Sequence, residues 1–397
     1  MTAKAYLRHA YHRIDSGFKK IRRLLNPAKF YSVRTLTQIK TREKASVTLK
    51  RTPNIVVEIN NTCNLNCIMC ETKNSKRPKG VMSVDDFVWI LDKIIKPKGQ
   101  RVLVVHTVGE PLMHPHFDTI AEEVYRKNIR LLITTNGLFL KKHSRVFEKY
   151  PGLFAGINVS VDGASKETYD KIRVGGKFDV LIENLKWLSD INRKLRLKIP
   201  IRIQSILSND NLHEIPDYFK VYTKYVRPEN ISFNLISNLS SNRDKDGYFF
   251  SKNILGKESA LNAPCPLPFV QLHILSDGRI SACCRDYNGE LIMGDIKKDN
   301  WEQVWLSEQY EKMRDLHRHK ETVNLSMCGS CYSVPIAFTF ILNNYIQYLI
   351  YNNRIDKVDL NEKINILFKQ FSDFYHKKNY KLNELVKIFE ACSDEAD

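Results

Sequence analysis

The sequence predicts an α/β fold, a partial (β/α)6 TIM-like barrel followed by a small C-terminal unit. Three observations predict it. Short β-rich apolar runs alternate with amphipathic segments of helical length between residues 54 and 237. The runs are nearly continuous in apolar residues, as strands buried on both faces must be. A polar stretch, "SNLSSNRDKDGYFF", then ends the repeat, and a hairpin pattern with new cysteines follows it.

The strand runs are "NIVVEIN" (54–60), "RVLVVHT" (101–107), "IRLLITT" (129–135), "GINVSV" (156–161), "IPIRIQSI" (199–206) and "NISFNLI" (230–236). Between them, "VDDFVWILDKII", "FDTIAEEVYRK", "KKHSRVFEKY", "FDVLIENLKWLSDINRK" and "LHEIPDYFKVYTKYV" repeat apolar residues at three and four. Such βα units build a parallel sheet with helices on its outer face, and the working residues belong at the C-terminal ends of the strands. In the second unit "VQLHILSDGRISACC" (270–284) reads as a hairpin turning at Asp277-Gly278, and "NWEQVWLSEQYEKMRDLH" as a helix capped by Asn300 or Asp299. The expected divisions are a basic arm (1–50), the barrel (51–240), the cysteine-bearing unit (241–335) and a helical tail (336–397).

Composition narrows the function classes. The 397 residues are ordinary for a globular chain, and the charged N-terminus has no continuous apolar core of an export signal, so a cytoplasmic location is expected. Reduced thiols are then the rule, and eight of the nine cysteines fall in clusters, a pattern of metal ligation rather than of disulfides. Residues 1–50 carry thirteen Lys or Arg against Asp15 and Glu43. Within them Leu7, Tyr11, Ile14, Phe18, Ile21 and Leu25 recur at helical spacing, which makes a basic amphipathic helix. Two tasks stay open for it: capping the open edge of the barrel, or peripheral contact with a membrane through residues 1–30. "VPIAFTFILNNYIQYLIY" is interrupted by two Asn and a Gln and reads as a buried or interfacial helix rather than a membrane span.

Directly after the first strand, "NNTCNLNCIMCETK" places Cys63, Cys67 and Cys70 in one loop. Three thiolates can hold three irons of a cubane [4Fe-4S] cluster and leave the fourth iron open. "CNLNCIMC" resembles the cluster loop of the radical S-adenosylmethionine (SAM) enzymes. The resemblance implies that SAM binds the open iron and is cleaved to a 5′-deoxyadenosyl radical. It extends to "HTVGEPLMHP", similar to the family's Gly-Gly-Glu element with Val108 in place of the first glycine and Gly109 and Glu110 retained, which in the family meets the SAM ammonium. "TTNG" ends the third strand with Asn136 toward the barrel mouth, and "SVDG" ends the fourth with Ser160 and Asp162, which resemble contacts to the methionine carboxylate and ribose. "ETYDKIRVGGKFD" carries Arg173, implied to pair with the SAM carboxylate. Met69 is implied to pack on adenine, and Gln204 with Ser205 to face the cofactor from the fifth strand. His106, His114 and His116 crowd the second strand's end; the family phrase around "GEPLMHP" makes its histidine structural.

The second cysteine set, Cys265, Cys283-Cys284, Cys328 and Cys331, suits a four-cysteine site of zinc or iron-sulfur type. Its Gly278-x4-Cys283 and Cys328-x2-Cys331 spacings resemble the SPASM domain or its shortened twitch form, which implies one auxiliary [4Fe-4S] cluster held by Cys265, Cys283, Cys328 and Cys331. Strand alternation would point Cys284 away from that cluster, as a packed thiol or as a hydrogen donor to a substrate radical.

The resemblance therefore implies an oxidoreductase of the radical SAM class, with a flavodoxin or ferredoxin as reductant. The leading expectation is dehydrogenation or epimerisation of a carbohydrate-like or lipid-linked sugar. The alternatives are maturation of a ribosomally made peptide or protein and, from another class, an RNA-binding iron-sulfur protein. Nucleic acid is the partner least supported, because the arm lacks an aromatic platform.

Overall fold

A computed structural model describes residues 53–94, 102–235, 265, 267–319, 321–325, 327–329 and scattered helical residues between 342 and 366. The basic arm, the polar segment near 237–263, Cys331 and most of the tail lie outside the described residues.

Six parallel strands form the barrel sheet: β1 (Asn54–Val57), β2 (Val102–Val104), β3 (Arg130–Thr135), β4 (Phe154–Ser160), β5 (Ile201–Leu207) and β6 (Ile231–Leu235). The helices between them are α1 (Val84–Ile94), α2 (Phe117–Arg126), α3 (Ser144–Lys149), α4 (Lys166–Ile172), α5 (Phe178–Lys194) and α6 (Ile215–Tyr222). The expected α/β partial barrel is thus present. Alternate strand residues such as Ile55, Val57, Ile133, Ile157, Val159, Ile203 and Phe233 pack into one core with Phe87, Phe117, Leu185 and Tyr218 of the helices. The second strand is shorter than its apolar run, because the chain leaves the ladder at Val105 to build the turn carrying Gly109 and Glu110.

The C-terminal unit contributes α7 (Leu267–Val270), β7 (Gln271–Ile274), β8 (Arg279–Ser281), β9 (Ile292–Asp295), α8 (Trp301–Trp305) and α9 (Glu308–His319). Its strands join the barrel sheet: β7 runs parallel to β1 in the register Val56–His273, and β8 and β9 follow antiparallel. One nine-stranded sheet results, in the order β6-β5-β4-β3-β2-β1-β7-β8-β9. The turn at Asp277-Gly278 forms as expected, with Gly278 at φ +93, a conformation that favours glycine. Asn300 is the cap of α8, accepting from Glu302 N at 2.8 Å.

At the other edge, β6 is closed by side chains. Asn343, on a helical stretch, donates to Phe233 O and accepts from Phe233 N, each at 2.7 Å, and Gln347 donates to Pro228 O at 2.8 Å. Asn343 and Gln347 therefore act as a substitute strand for an edge that would otherwise expose its ladder groups. No helix among the described residues is long and apolar enough to cross a membrane.

Candidate active site

The three-cysteine loop is fixed from four directions. Thr62 O accepts from Glu110 N at 2.8 Å, Asn66 N donates to Val174 O at 2.8 Å, Ile68 N donates to Ile172 O at 3.0 Å, and Asn64 Oδ1 accepts from Asn136 Nδ2 at 2.8 Å. The loop thus closes on the ends of β2, β3 and α4. Leu65, Cys67 and Met69 are buried together against Ile172, with Cys63 and Cys70 at the margin of that cluster.

The thiols lie within electrostatic reach of one another, and burial dominates at Cys63 and Cys67. It pushes Cys63 up to about 12 and raises Cys67, despite the opposing N–H of Leu65 at Cys63 and the guanidinium of Arg173 at Cys67. Arg173 Nη1 approaches Cys67 Sγ at 3.7 Å, while Leu65 N donates to Cys63 Sγ at 3.4 Å. Among the described residues no three His, Cys, Asp or Glu converge on a single ion. One buried and two partly buried thiols, with donors to the sulfurs of Cys63 and Cys67 and a nearby cation, fit a wider, multi-iron group, whose positive irons would hold them as thiolates.

Gly109 is forced by geometry. At φ +80 its position of a Cβ would lie 2.7 Å from Thr62 O and 2.8 Å from Asn60 O, so no side chain fits. Glu110 is buried, and its carboxylate is largely committed within the protein: Oε1 accepts from Thr135 Oγ1 at 2.7 Å and Leu112 N at 3.1 Å, and Oε2 from Asn136 N at 2.7 Å. Burial lifts its pKa to about 7 against those three donors. These contacts leave one acceptor position on Oε2. Asn136, expected at the barrel mouth, spends its amide on Asn64 and on Leu138 N, and so ties the third strand to the cysteine loop.

Asp162 is fully buried, accepting from Ile206 N at 2.7 Å and pairing with Arg173 Nε at 2.6 Å. Burial opposes the charge on Arg173, yet Asp162, Cys67 and Tyr169 outweigh it and hold the guanidinium charged well above its ordinary range. Asp162 and Arg173, read from the sequence as separate contacts, form one unit. Ser160 and Gln204 are partners across β4 and β5 and stay half-buried on the face opposite the helices. Ser205 corrects the sequence reading: strand alternation turns it to the helices, where its hydroxyl meets Tyr218 OH at 2.8 Å.

In the C-terminal set, Cys265, Cys283, Cys284 and Cys328 are partly buried, and Cys265 lies within electrostatic reach of Cys283. The alternation expected for Cys283 and Cys284 does not hold. Strand β8 ends at Ser281, so the pair sits in the following turn and the two thiols hydrogen-bond to each other. That bond, with Arg285, brings Cys284 down to about 6 despite burial. Asp286 organises this turn, accepting from Ser281 Oγ at 2.7 Å and from the N–H groups of Glu290 and Leu291 at 2.7 and 2.9 Å.

Glu58, Arg77, Thr107 and His273, not singled out in the sequence, add to the surroundings of the site. Glu58 and Arg77 form a fully buried ion pair at 2.8 Å; an acid inside the apolar run "NIVVEIN" is the signal that a partner must exist. His273 Nδ1 lies 3.4 Å from Thr107 Oγ1, and burial lowers His273 to about 3 and His106 to about 4, so both rings are neutral. His114 is structural, with Nε2 on Met82 O and Nδ1 accepting from His116 N.

Comparison with known proteins agrees with this geometry. The family model of the radical SAM superfamily matches residues 57–201, and that of the SPASM iron-sulfur cluster-binding domain matches residues 265–332. An AdoMet-dependent heme synthase of Methanosarcina barkeri is 29% identical over 181 residues, 44% of this chain and 48% of its own length. The antilisterial bacteriocin subtilosin biosynthesis protein AlbA of Bacillus subtilis is 24% identical over 306 residues, 69% of this chain and 66% of its own. The chain thus spans about half to two thirds of these relatives. SuiB of Streptococcus suis, solved with S-adenosylmethionine, shares the fold at a TM-score of 0.52 and 16% identity, covering 77% of this chain and 78% of SuiB. It has also been solved with the precursor peptide SuiA, at a TM-score of 0.50, 14% identity and coverage of 71% and 70%.

Proposed function

We propose that this chain, a radical SAM enzyme with a C-terminal SPASM domain, modifies a ribosomally made peptide or protein. The observation that carries the reading is the extent of the match to AlbA, which runs over 306 residues and so reaches beyond the barrel, whereas the heme synthase match stops at 181. SuiB, which shares the fold, has been solved with a precursor peptide. The sugar-directed expectation has no comparable observation behind it.

Cys63, Cys67 and Cys70 would hold the SAM-binding cluster, and Cys265, Cys283, Cys328 and Cys331 an auxiliary one. When bound, SAM and the cluster supply one-electron cleavage to a 5′-deoxyadenosyl radical, which abstracts hydrogen from carbon. The protein's own part is orientation. Gly109 lets the second strand's turn press on Thr62 and Asn60 beneath the loop. The remaining acceptor of Glu110 suits an ammonium group. Arg173, fixed through Nε by Asp162, keeps Nη1 near Cys67 and its outer edge for a carboxylate. Ser160 and Gln204 offer half-buried polar contacts to the sugar of the nucleoside, and Met69 an apolar one to its base. A flavodoxin or ferredoxin is the proposed electron source.

The test is isotopic. Anaerobically reconstituted chain, SAM and reductant are incubated with perdeuterated peptides encoded near its gene, and in parallel with deuterated nucleotide sugars. Deuterium in 5′-deoxyadenosine from a peptide is the expected result; transfer from the sugars alone would overturn the peptide reading.

A further inference from the structure

The segment leaving the three-cysteine loop is latched to the C-terminal cysteine turn. Ser75 Oγ donates to Tyr287 O, Arg77 Nε donates to the same oxygen at 3.1 Å, and Lys76 N donates to Asn288 Oδ1 at 2.9 Å. Both ends of this latch lie close in the chain to cysteines. On one side Cys70 Sγ is 3.1 Å from Thr72 Oγ1, and the 3-10 turn Thr72–Asn74 leads directly into Ser75. On the other, Asp286 N donates to Cys283 O at 3.2 Å, and Tyr287 is the next residue. A movement of the Cys283 turn therefore has a short route to the exit of the three-cysteine loop.

Arg77 is the centre of the latch. Its side chain is buried with that of Glu58, whose Oε2 accepts from Nη2 at 2.8 Å. The other oxygen of Glu58 accepts from Ser276 N at 3.1 Å and Ser276 Oγ at 3.0 Å, in the turn between β7 and β8. Glu58 thus holds the hairpin and, through Arg77, the turn that follows it. The remaining nitrogen of Arg77, Nη1, is buried and has no hydrogen-bond partner among the described residues. A bare buried donor raises the energy of the present arrangement, so the latch is a balance that a group bound on the Cys283 turn can tip.

We propose that Arg77, held by Glu58, is a positioning residue that couples the two cysteine sets, so that a cluster in the C-terminal set tightens SAM binding at the three-cysteine loop. Coupling between two sites needs an element whose arrangement both of them bias. Residues 75–77 continue from one cysteine set and are hydrogen-bonded to the turn that carries the other. The inference rests on SAM binding at the three-cysteine loop and is independent of whether the substrate is a peptide.

The test is a set of SAM dissociation constants, measured by anaerobic equilibrium dialysis on the full reconstituted chain with iron counted in each sample. Cys283→Ser with Cys328→Ser empties the C-terminal set, and the change is made in three backgrounds: wild type, Arg77→Met, and Ser75→Ala with Asn288→Ala. The last leaves the buried ion pair intact, so it decides the matter even where Arg77→Met fails to fold. Emptying the set is expected to weaken SAM binding about tenfold in the wild-type background and about threefold or less where the latch is cut. An equal loss in every background overturns the proposal, because a merely structural latch would lower affinity without changing what the C-terminal set contributes. No loss in the wild-type background overturns it as well.

Discussion

Arg173 and Asp162 meet at 2.6 Å through Nε and Oδ2, with Asp162 fully buried and Arg173 reaching back to Cys67 Sγ at 3.7 Å. A residue after α4 and an acid after β4 thereby fix a guanidinium beside the cysteine loop. Taking away one member of a buried pair leaves an uncompensated charge, at a cost of about 3–5 kcal/mol. Asp162→Asn is expected to lose stability in that range in urea unfolding of the cluster-free chain, and to weaken SAM binding by the reconstituted one. A loss below about 1 kcal/mol would mean that Arg173 finds its compensation elsewhere.

Gly109→Ala meets backbone oxygen on two sides at a positive φ, so the turn must move. The strain exceeds about 1 kcal/mol, and it falls on Thr62, next to Cys63. Thermal unfolding should show the loss, and iron analysis should fall from about eight toward about four per chain as the SAM-cluster site empties while the auxiliary one holds. Full retention of iron with unchanged unfolding would show that the turn yields freely.

Glu110 makes stability pH-dependent. Its carboxyl, ordinarily near 4.5, is raised to about 7 in the folded chain by burial. The folded state therefore holds the proton more tightly, and the favourable contribution is complete below about pH 4.5 and is lost as pH rises through 7, amounting to about 3 kcal/mol. In the cluster-free chain, Glu110→Gln should flatten this part of the stability profile between those limits. A variant with the wild-type slope would assign the pH dependence to another group.

Asn343→Ala strips the edge strand of its substitute partner. Phe233 N and O, each now bonded at 2.7 Å, would both be left without it. A buried unsatisfied group costs about 1–3 kcal/mol, so the urea midpoint should fall and the exposed edge should promote association, measured by light scattering. Unaltered stability would show that water serves the edge equally well.

What is covalent and local could be read along the chain. The spacing of Cys63, Cys67 and Cys70 sets the open cluster, the βα rhythm sets the parallel sheet, and Asp277-Gly278 sets the hairpin, because each depends on neighbours a few bonds away. Tertiary structure alone decided what those groups are spent on. Only the packed fold shows Asp162 and Glu110 committed to protein donors and Ser205 turned to the helices. Only the fold shows Asn343 completing β6, and β7 joining β1 so that Ser75 and Arg77 meet the backbone oxygen of Tyr287. Those pairings join residues far apart in the chain, and their partners are chosen by burial and register, which no single stretch of sequence contains.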